Sequence, residues 1–244
     1  MLIYQIEITN NCNFKCSYCP RQFMTRPLGV MSTETIDILA KKIENKVVRL
    51  HHYGESLLFL DRTLYAIDSF KRNGIDTILN TNGYFLDNDK AQSLFGLGLQ
   101  KIFLSYHNEK SLEFINEIDK EYRSRINILK ICDGSDSNEF EKERMTMLKL
   151  KSLGYNTEIK NLRDLGQIKK LDFQMFHPDC SFIKNNEVVI LWDGTIVPCC
   201  ECFDNNFTLG NINETKAVEN KFFEMCRTCN GYGNDEIETE RAEI

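Results

Sequence analysis

The 244-residue chain lacks a basic excess: 30 Lys and Arg against 36 Asp and Glu leave a formal net charge of −6. A general nucleic-acid binder shows the opposite balance, so that class is set aside. Nor does any uncharged apolar stretch approach the roughly 18–20 residues of a membrane helix. The start, Met1-Leu-Ile-Tyr-Gln-Ile-Glu-Ile8, has no basic lead, and Glu7 interrupts its apolar run. It reads as a strand rather than a secretion signal, and the chain is expected in the cytoplasm. No internal repeat or low-complexity tract stands out, so a repeat architecture is not expected.

What is present is cysteine. Ten occur, at 12, 16, 19, 132, 180, 199, 200, 202, 226 and 229. In a reducing compartment clustered cysteines bind metal or do chemistry more often than they form disulfides.

The stretch between the two clusters, residues 20–179, has an α/β rhythm. Leu2 to Ile8, Val47 to Tyr53, Ile75 to Leu79 and Lys101 to Ser105 are strand candidates, with Ile126 to Ile131 and Tyr155 to Ile159 weaker ones. Helices are expected from Ser32 through Ile43, through Leu64, Ile67 and Phe70 to a stop at Gly74, and over Asp89 to Leu97. Short strands alternating with helices imply a parallel sheet with right-handed crossovers. About six βα units, ending near residue 165, are too few for an eight-stranded barrel. Beyond them, Val188 to Trp192, Asp193-Gly194 and Thr195 to Val197 predict a β-hairpin. A helix is expected from about Glu214 to Met225, and an acidic tail over 235–244.

Cys12-Asn-Phe-Lys-Cys16-Ser-Tyr-Cys19 places three thiols on a loop after the first strand. A structural zinc site wants four ligands, and no fourth Cys or His lies nearby. Three close thiolates suit a cubane iron–sulfur cluster with one iron left open. The Cys-x3-Cys-x2-Cys motif, with Tyr18 before its third cysteine, resembles the signature of the radical S-adenosylmethionine superfamily. Further segments resemble that family in order, each after its own strand. Tyr53-Gly54-Glu55-Ser56 is similar to its Gly-Glu-Pro motif, with Ser56 in place of proline. Thr81-Asn82-Gly83 matches its Thr-Asn-Gly, and Ser105 falls where it places a ribose-contacting hydroxyl.

The resemblance implies an α/β fold, a partial (β/α)6 TIM-like barrel over 1–165, with its site at the strand C-terminal ends. Cys12, Cys16 and Cys19 would hold a [4Fe–4S] cluster whose open iron chelates S-adenosylmethionine. Tyr18, Gly54, Glu55, Thr81, Asn82 and Ser105 would contact that cofactor.

In the C-terminal part, Cys180-x13-Gly194-x4-Cys199 followed by Cys226-x2-Cys229 resembles the family's hairpin-plus-helix "twitch" subdomain, expected here over 166–234. That subdomain carries one auxiliary [4Fe–4S] cluster. The resemblance implies the ligand set Cys180, Cys199, Cys226 and Cys229, with Cys200 or Cys202 as competitors for the place of Cys199. Cys132 reads as a small buried apolar residue.

Among twitch-bearing enzymes the chain is similar to the radical inosamine dehydrogenase type, which oxidises a secondary alcohol of a cyclitol to a ketone. The resemblance implies one electron into the first cluster, cleavage of the cofactor to a 5′-deoxyadenosyl radical, and hydrogen abstraction from a carbinol carbon of a small polar, sugar- or cyclitol-like substrate. The auxiliary cluster would accept the second electron. Arg163 and His107 are candidates for handling the hydroxyl proton, with His177 another. Alternation along a strand puts at most one of His51 and His52 inside the barrel, and Trp192 is expected to pack in the hairpin. An external flavodoxin- or ferredoxin-like electron donor and a monomeric state complete the expectation. Alternatives are a peptide-modifying maturase of the same family and, in a different class, a non-catalytic zinc-binding protein.

Overall fold

A computed structural model describes residues 1–16, 19–107, 112, 115–132, 137–161, 180–214, 218–227 and 229. The candidates Tyr18, Arg163 and His177 lie outside the described residues, as do the acidic tail and the side chain of Cys132.

Six parallel strands follow the expected rhythm: β1 (Leu2–Ile6), β2 (Val47–Arg49), β3 (Asp76–Thr81), β4 (Leu99–Tyr106), β5 (Ile126–Cys132) and β6 (Asn156–Asn161). Between them lie α1 (Thr33–Lys42), α2 (Leu60–Arg72), α3 (Asn88–Gly96), α4 (Lys120–Arg123) and α5 (Ser137–Ser152). Local chemistry starts the helices. Ser32 Oγ accepts the Thr35 amide at 3.1 Å, and Asp87 Oδ1 accepts that of Lys90 at 2.9 Å, each satisfying a first-turn donor.

After α6 (Ser181–Lys184) come β7 (Glu187–Ile190), β8 (Thr195–Val197) and β9 (Gly210–Asn211). Among the described residues these nine strands form one sheet in the order β6-β5-β4-β3-β2-β1-β7-β8-β9. The predicted hairpin is therefore not a separate layer. β7 runs parallel to β1 along the edge that β2 leaves free, and β8 returns antiparallel.

Strand register separates two faces of the partial barrel. Leu79, Ile102 and Ile126 share one row, and Leu104 and Ile128 the next. Both rows are buried in the same apolar cluster as Ile36 and Leu39 of α1, Ala66, Ile67 and Phe70 of α2, and Leu94 and Phe95 of α3. That is the helix-covered outside. The intervening rows hold Asn80, Phe103, Asn127 and Asn156, then Ser105, Leu129 and Glu158. The polar members of these rows stay half-buried or exposed. The inner wall is therefore mainly polar and reached by solvent.

Three expectations are corrected. No helix spans Glu214 to Met225 among the described residues: Val218 to Phe223 is irregular, and only Glu224–Arg227 forms a 3-10 turn. Its polar anchor is Asn220, whose amide donates to the carbonyls of Glu187 (2.6 Å), Pro198 (2.7 Å) and Phe182 (3.4 Å). Those bonds hold the segment against the hairpin, and tertiary partners override the helical pattern. Second, β2 ends at Arg49, so strand alternation does not govern His51 and His52. Third, Trp192 packs across the molecule. A Cβ on Gly29 would lie 2.4 Å from its ring, and its Nε1 donates to Pro27 O at 3.3 Å.

Asn220→Ala leaves three carbonyls without this donor. The expected cost is about 3 kcal/mol, or a fall in Tm of roughly 6–12 °C for a chain this size, measured by thermal denaturation of the metal-free protein.

Candidate active site

The loops at the C-terminal ends of β1 to β4 meet at one end of the sheet. The first carries Cys12, Cys16 and Cys19, all reduced thiols and partly exposed. Two bonds shape it: the Cys19 amide donates to Cys16 O at 3.1 Å, and the Arg21 guanidinium donates to Phe14 O at 2.9 Å. Cys12 Sγ accepts the Phe14 amide at 3.4 Å and lies 3.9 Å from the Asn82 side-chain nitrogen. Burial pushes the Cys12 thiol up, opposed by the Phe14 amide.

Asn10 closes the loop's return. Its amide donates to Pro27 O at 2.8 Å and its Oδ1 accepts the Gly29 amide at 2.8 Å. Nothing in the sequence marks this role, because the partners lie 17 and 19 residues away.

The Gly54-Glu55 loop presses on the exit of β1. A Cβ at Gly54 would sit 1.9 Å from Thr9 O, a separation only glycine permits. The Glu55 amide donates to Asn11 O at 2.7 Å. Glu55 itself is 2% exposed. Its Oε1 accepts Thr81 Oγ1 at 2.8 Å and the Leu57 amide at 3.1 Å, while Oε2 accepts the Asn82 amide at 2.8 Å. Asn82 then donates to Asn13 Oδ1 at 2.8 Å, linking the Thr-Asn-Gly turn to the cysteine loop. Ser56 uses its hydroxyl on Leu50 O at 2.8 Å, a bond proline could not make.

Gly54, Glu55, Thr81 and Asn82 therefore converge beside Cys12. Ser105 lies on the inner wall one residue before the end of β4, and His107 follows β4 with its ring edge-on to Phe14 at 5.6 Å. Burial, then Lys130, pushes the His107 imidazole below 6.5.

The second cysteine set gathers at the hairpin. Cys180 precedes α6, Cys199 follows β8, and Cys226 sits in the terminal 3-10 turn. Cys226 feels the thiols of Cys199 and Cys180, and Cys200 those of Cys199 and Cys229. Cys202 is in contact with them too: its side chain hydrogen-bonds the Cys199 thiol and, with burial, pushes that thiol up. It is buried among Phe182, Val189, Leu191 and Val197, with its sulfur 3.2 Å from Met225 Sδ.

His52 and Tyr53, read in the sequence as part of the Gly-Glu segment but given no role of their own, tie that segment to the second set. Tyr53 Oη donates to Cys200 O at 2.9 Å, and His52 Nε2 lies 3.2 Å from Cys202 O. The Tyr53 phenol is pushed well above 10 by burial, then by Glu201, Cys200, Cys199 and Cys19. It is thus within electrostatic reach of thiols from both sets. Position before Gly-Glu was the only available signal.

Residues 6–151 match the Radical SAM superfamily, and residues 180–230 match an iron–sulfur cluster-binding domain, SPASM. The chain belongs to the radical S-adenosylmethionine superfamily. It is an enzyme of oxidoreductase type whose cofactors are S-adenosylmethionine and two iron–sulfur clusters.

Among relatives, the chain is 25% identical over 223 residues to the S-adenosyl-L-methionine-dependent 2-deoxy-scyllo-inosamine dehydrogenase of Niallia circulans, covering 86% of this chain and 78% of that one. It is 32% identical over 168 residues to a probable GTP 3′,8-cyclase of Methanocaldococcus jannaschii, covering 66% and 52%. In fold it resembles the crystal structure of BtrN in complex with AdoMet and 2-DOIA, with a TM-score of 0.61 at 20% identity over 100% of this chain and 91% of that one. Native anSMEcpe with bound AdoMet gives 0.64 at 16% identity over 94% and 86%.

The residues present fit these groups. Both sets offer reduced cysteine thiols, the donors iron–sulfur clusters take. Among the described residues no three His, Cys, Asp or Glu side chains stand at the spacing of a single bound ion, so the fit rests on donor chemistry. Glu55 Oε2 accepts one described hydrogen bond, which leaves it capacity for an ammonium donor. Among the described residues no helix is long and apolar enough to cross a membrane.

Gly54→Ala should displace the β1 exit, destabilise by about 2–3 kcal/mol, and leave the first cysteine set under-loaded with iron relative to the second after anaerobic reconstitution. Burial raises the Glu55 carboxyl above 4.5, opposed by the Asn82 amide, Thr81 and the Leu57 amide. Its contribution to stability is therefore fully present below the unfolded-state value and lost as pH rises through the folded-state value. In Glu55→Gln that decline in Tm should vanish, as a pH series of melting curves would show.

Proposed function

We propose that the enzyme oxidises a secondary-alcohol carbon of a small polar cyclic substrate, a sugar, cyclitol or aminocyclitol, to a ketone. The observation that carries this is Tyr53, within reach of both thiol sets beside a mainly polar inner wall bearing Asn80, Ser105, Asn127 and Glu158. In a two-electron oxidation one electron leaves with the abstracted hydrogen atom and the other needs an acceptor; Tyr53, bonded to Cys200 O, is within electrostatic reach of Cys19 as well. The similarity to the inosamine dehydrogenase favours an alcohol carbon.

Bound S-adenosylmethionine with the cluster on Cys12, Cys16 and Cys19 would supply the radical that takes a hydrogen atom, and the cluster on Cys180, Cys199, Cys226 and Cys229 an acceptor for the remaining electron. The protein supplies orientation and proton transfer. Glu55 would accept the cofactor's amino group, with Thr81 and Asn82 holding that carboxylate in place. Tyr18, Gly54 and Ser105 would complete the cofactor's contacts.

The substrate hydroxyl proton leaves to a base. His107, kept neutral at pH 7 by its depressed pKa, can accept it. Arg163 is the second candidate, as a cation stabilising a developing alkoxide. One electron per turnover comes from a flavodoxin- or ferredoxin-like donor in the cytoplasm, to a monomeric enzyme. The barrel over 1–165 and the twitch subdomain over 166–234 divide the work.

Anaerobic turnover of the loaded enzyme with a panel of cyclitols, aminocyclitols, sugars and peptides should yield 5′-deoxyadenosine and ketone in a 1:1 ratio with a cyclic polyol. Oxidised peptide alone would overturn the substrate class. With His107 as base, kcat/KM should fall as pH drops through a value below 6.5, and this acid limb should disappear in His107→Gln. A limb that persists assigns the proton to another group.

A further inference from the structure

Asp204 lies within the span of the second cysteine set, between Cys202 and Cys226, yet spends its carboxylate on the first loop. Oδ2 accepts the Thr25 amide at 3.0 Å and the Thr25 hydroxyl at 2.7 Å, and Oδ1 accepts the Arg26 amide at 3.0 Å. These partners stand 178 and 179 residues earlier in the chain. Arg26 completes the grip. Its Nε donates to Phe203 O at 2.9 Å, and its two terminal nitrogens bind the Glu7 carboxylate at 2.6 Å each.

From the other side, His52 and Tyr53 reach the carbonyls of Cys202 and Cys200. Segment 200–204 is therefore held between the return of the first cysteine loop and the Gly-Glu loop. Asp204 is 7% exposed and Arg26 6%, so water competes little for these bonds.

We propose that Asp204 and Arg26 are positioning residues that couple the two cysteine loops, so that a cluster seated in one set orders the loop of the other. A network with two sites at its ends transmits ordering both ways, and the coupling is equal in each direction. A carboxylate suits the post. It accepts from two backbone amides and a hydroxyl at once, whereas an asparagine in its place must turn a donor towards one of them. The inference rests on the two cysteine sets being cluster sites and is independent of the substrate.

The test uses the full chain with Asp204→Asn, Thr25→Val as a milder variant that removes only the hydroxyl bond, and Glu143→Gln as a control. Glu143 is buried like Asp204 and pairs with Lys130 at 3.4 Å, remote in sequence from both cysteine sets. In metal-free protein, amide hydrogen exchange over residues 19–29 should quicken about tenfold in Asp204→Asn, less in Thr25→Val, and not in Glu143→Gln. Iron loading then supplies a double-mutant cycle. Disabling the second set with Cys226→Ser and Cys229→Ser should lower first-site iron uptake about threefold in the parent, and change nothing further in Asp204→Asn. Unchanged exchange in both Asp204→Asn and Thr25→Val overturns the proposal. So does an equal loss on disabling the second set with and without Asp204. If Asp204→Asn does not fold, the same two measurements on Thr25→Val decide.

Discussion

A buried ion pair between Glu7 and Arg26 is the constraint on which the rest of the site depends. The two side chains are almost wholly inaccessible, and the guanidinium meets the carboxylate through two 2.6 Å bonds. Removing two charges from water costs several kcal/mol each, so such a pair adds little net stability over apolar side chains of the same volume. Its effect is geometric. Glu7 extends β1, donating its amide to Ile190 O and accepting the Trp192 amide at 3.3 Å. Arg26 must come to it, and the loop carrying the first three cysteines must therefore close between residues 7 and 26. Because an unpaired buried charge costs far more than the pair, the loop has one closure rather than many.

The same closure brings the second cysteine set to the mouth of the barrel. β7 joins β1 as a neighbouring strand, and the segment after β8 is caught by Arg26 on one side and by His52 and Tyr53 on the other. The C-terminal part thus extends the sheet, and its backbone at Cys200, Cys202 and Phe203 is bonded to the loops of the first site. Glu55 does comparable work on the opposite flank, gathering β2, β3 and the cysteine loop through one carboxylate. The helix-facing rows of the sheet are apolar because they exclude water. The inner rows can be polar because a hydrophilic ligand and solvent replace a packed core there.

Much of this was legible in the chain. Strands β1 and β3 to β6 came from short apolar runs between helical periodicities, and the hairpin from Asp193-Gly194. The first cysteine motif, the Gly-Glu pair and the Thr-Asn-Gly turn declared themselves because each is a local pattern whose spacing carries chemistry. The helix expected over Glu214 to Met225 failed for the converse reason. Asn220 is unremarkable in sequence, and its three carbonyl partners lie 22 to 38 residues away. Trp192 read as hairpin packing, but its ring covers Gly29 on another loop. His52 and Tyr53 stood in the Gly-Glu segment, but their contacts carried no signal, since backbone carbonyls of any residue could have been their partners.

Sequence alone determined the class of chemistry, because thiol identity and spacing select the metal group and because strand-helix alternation selects the parallel sheet. It also carried the two-set count of cysteines. Only the tertiary structure decided that the two sets stand together. That depends on β7 docking on β1 and on Asp204 reaching Thr25 and Arg26, contacts between positions some 180 residues apart. Local patterns encode what a segment can bind. Which segments meet is settled by burial and hydrogen-bond satisfaction across the whole fold, and no local pattern records that.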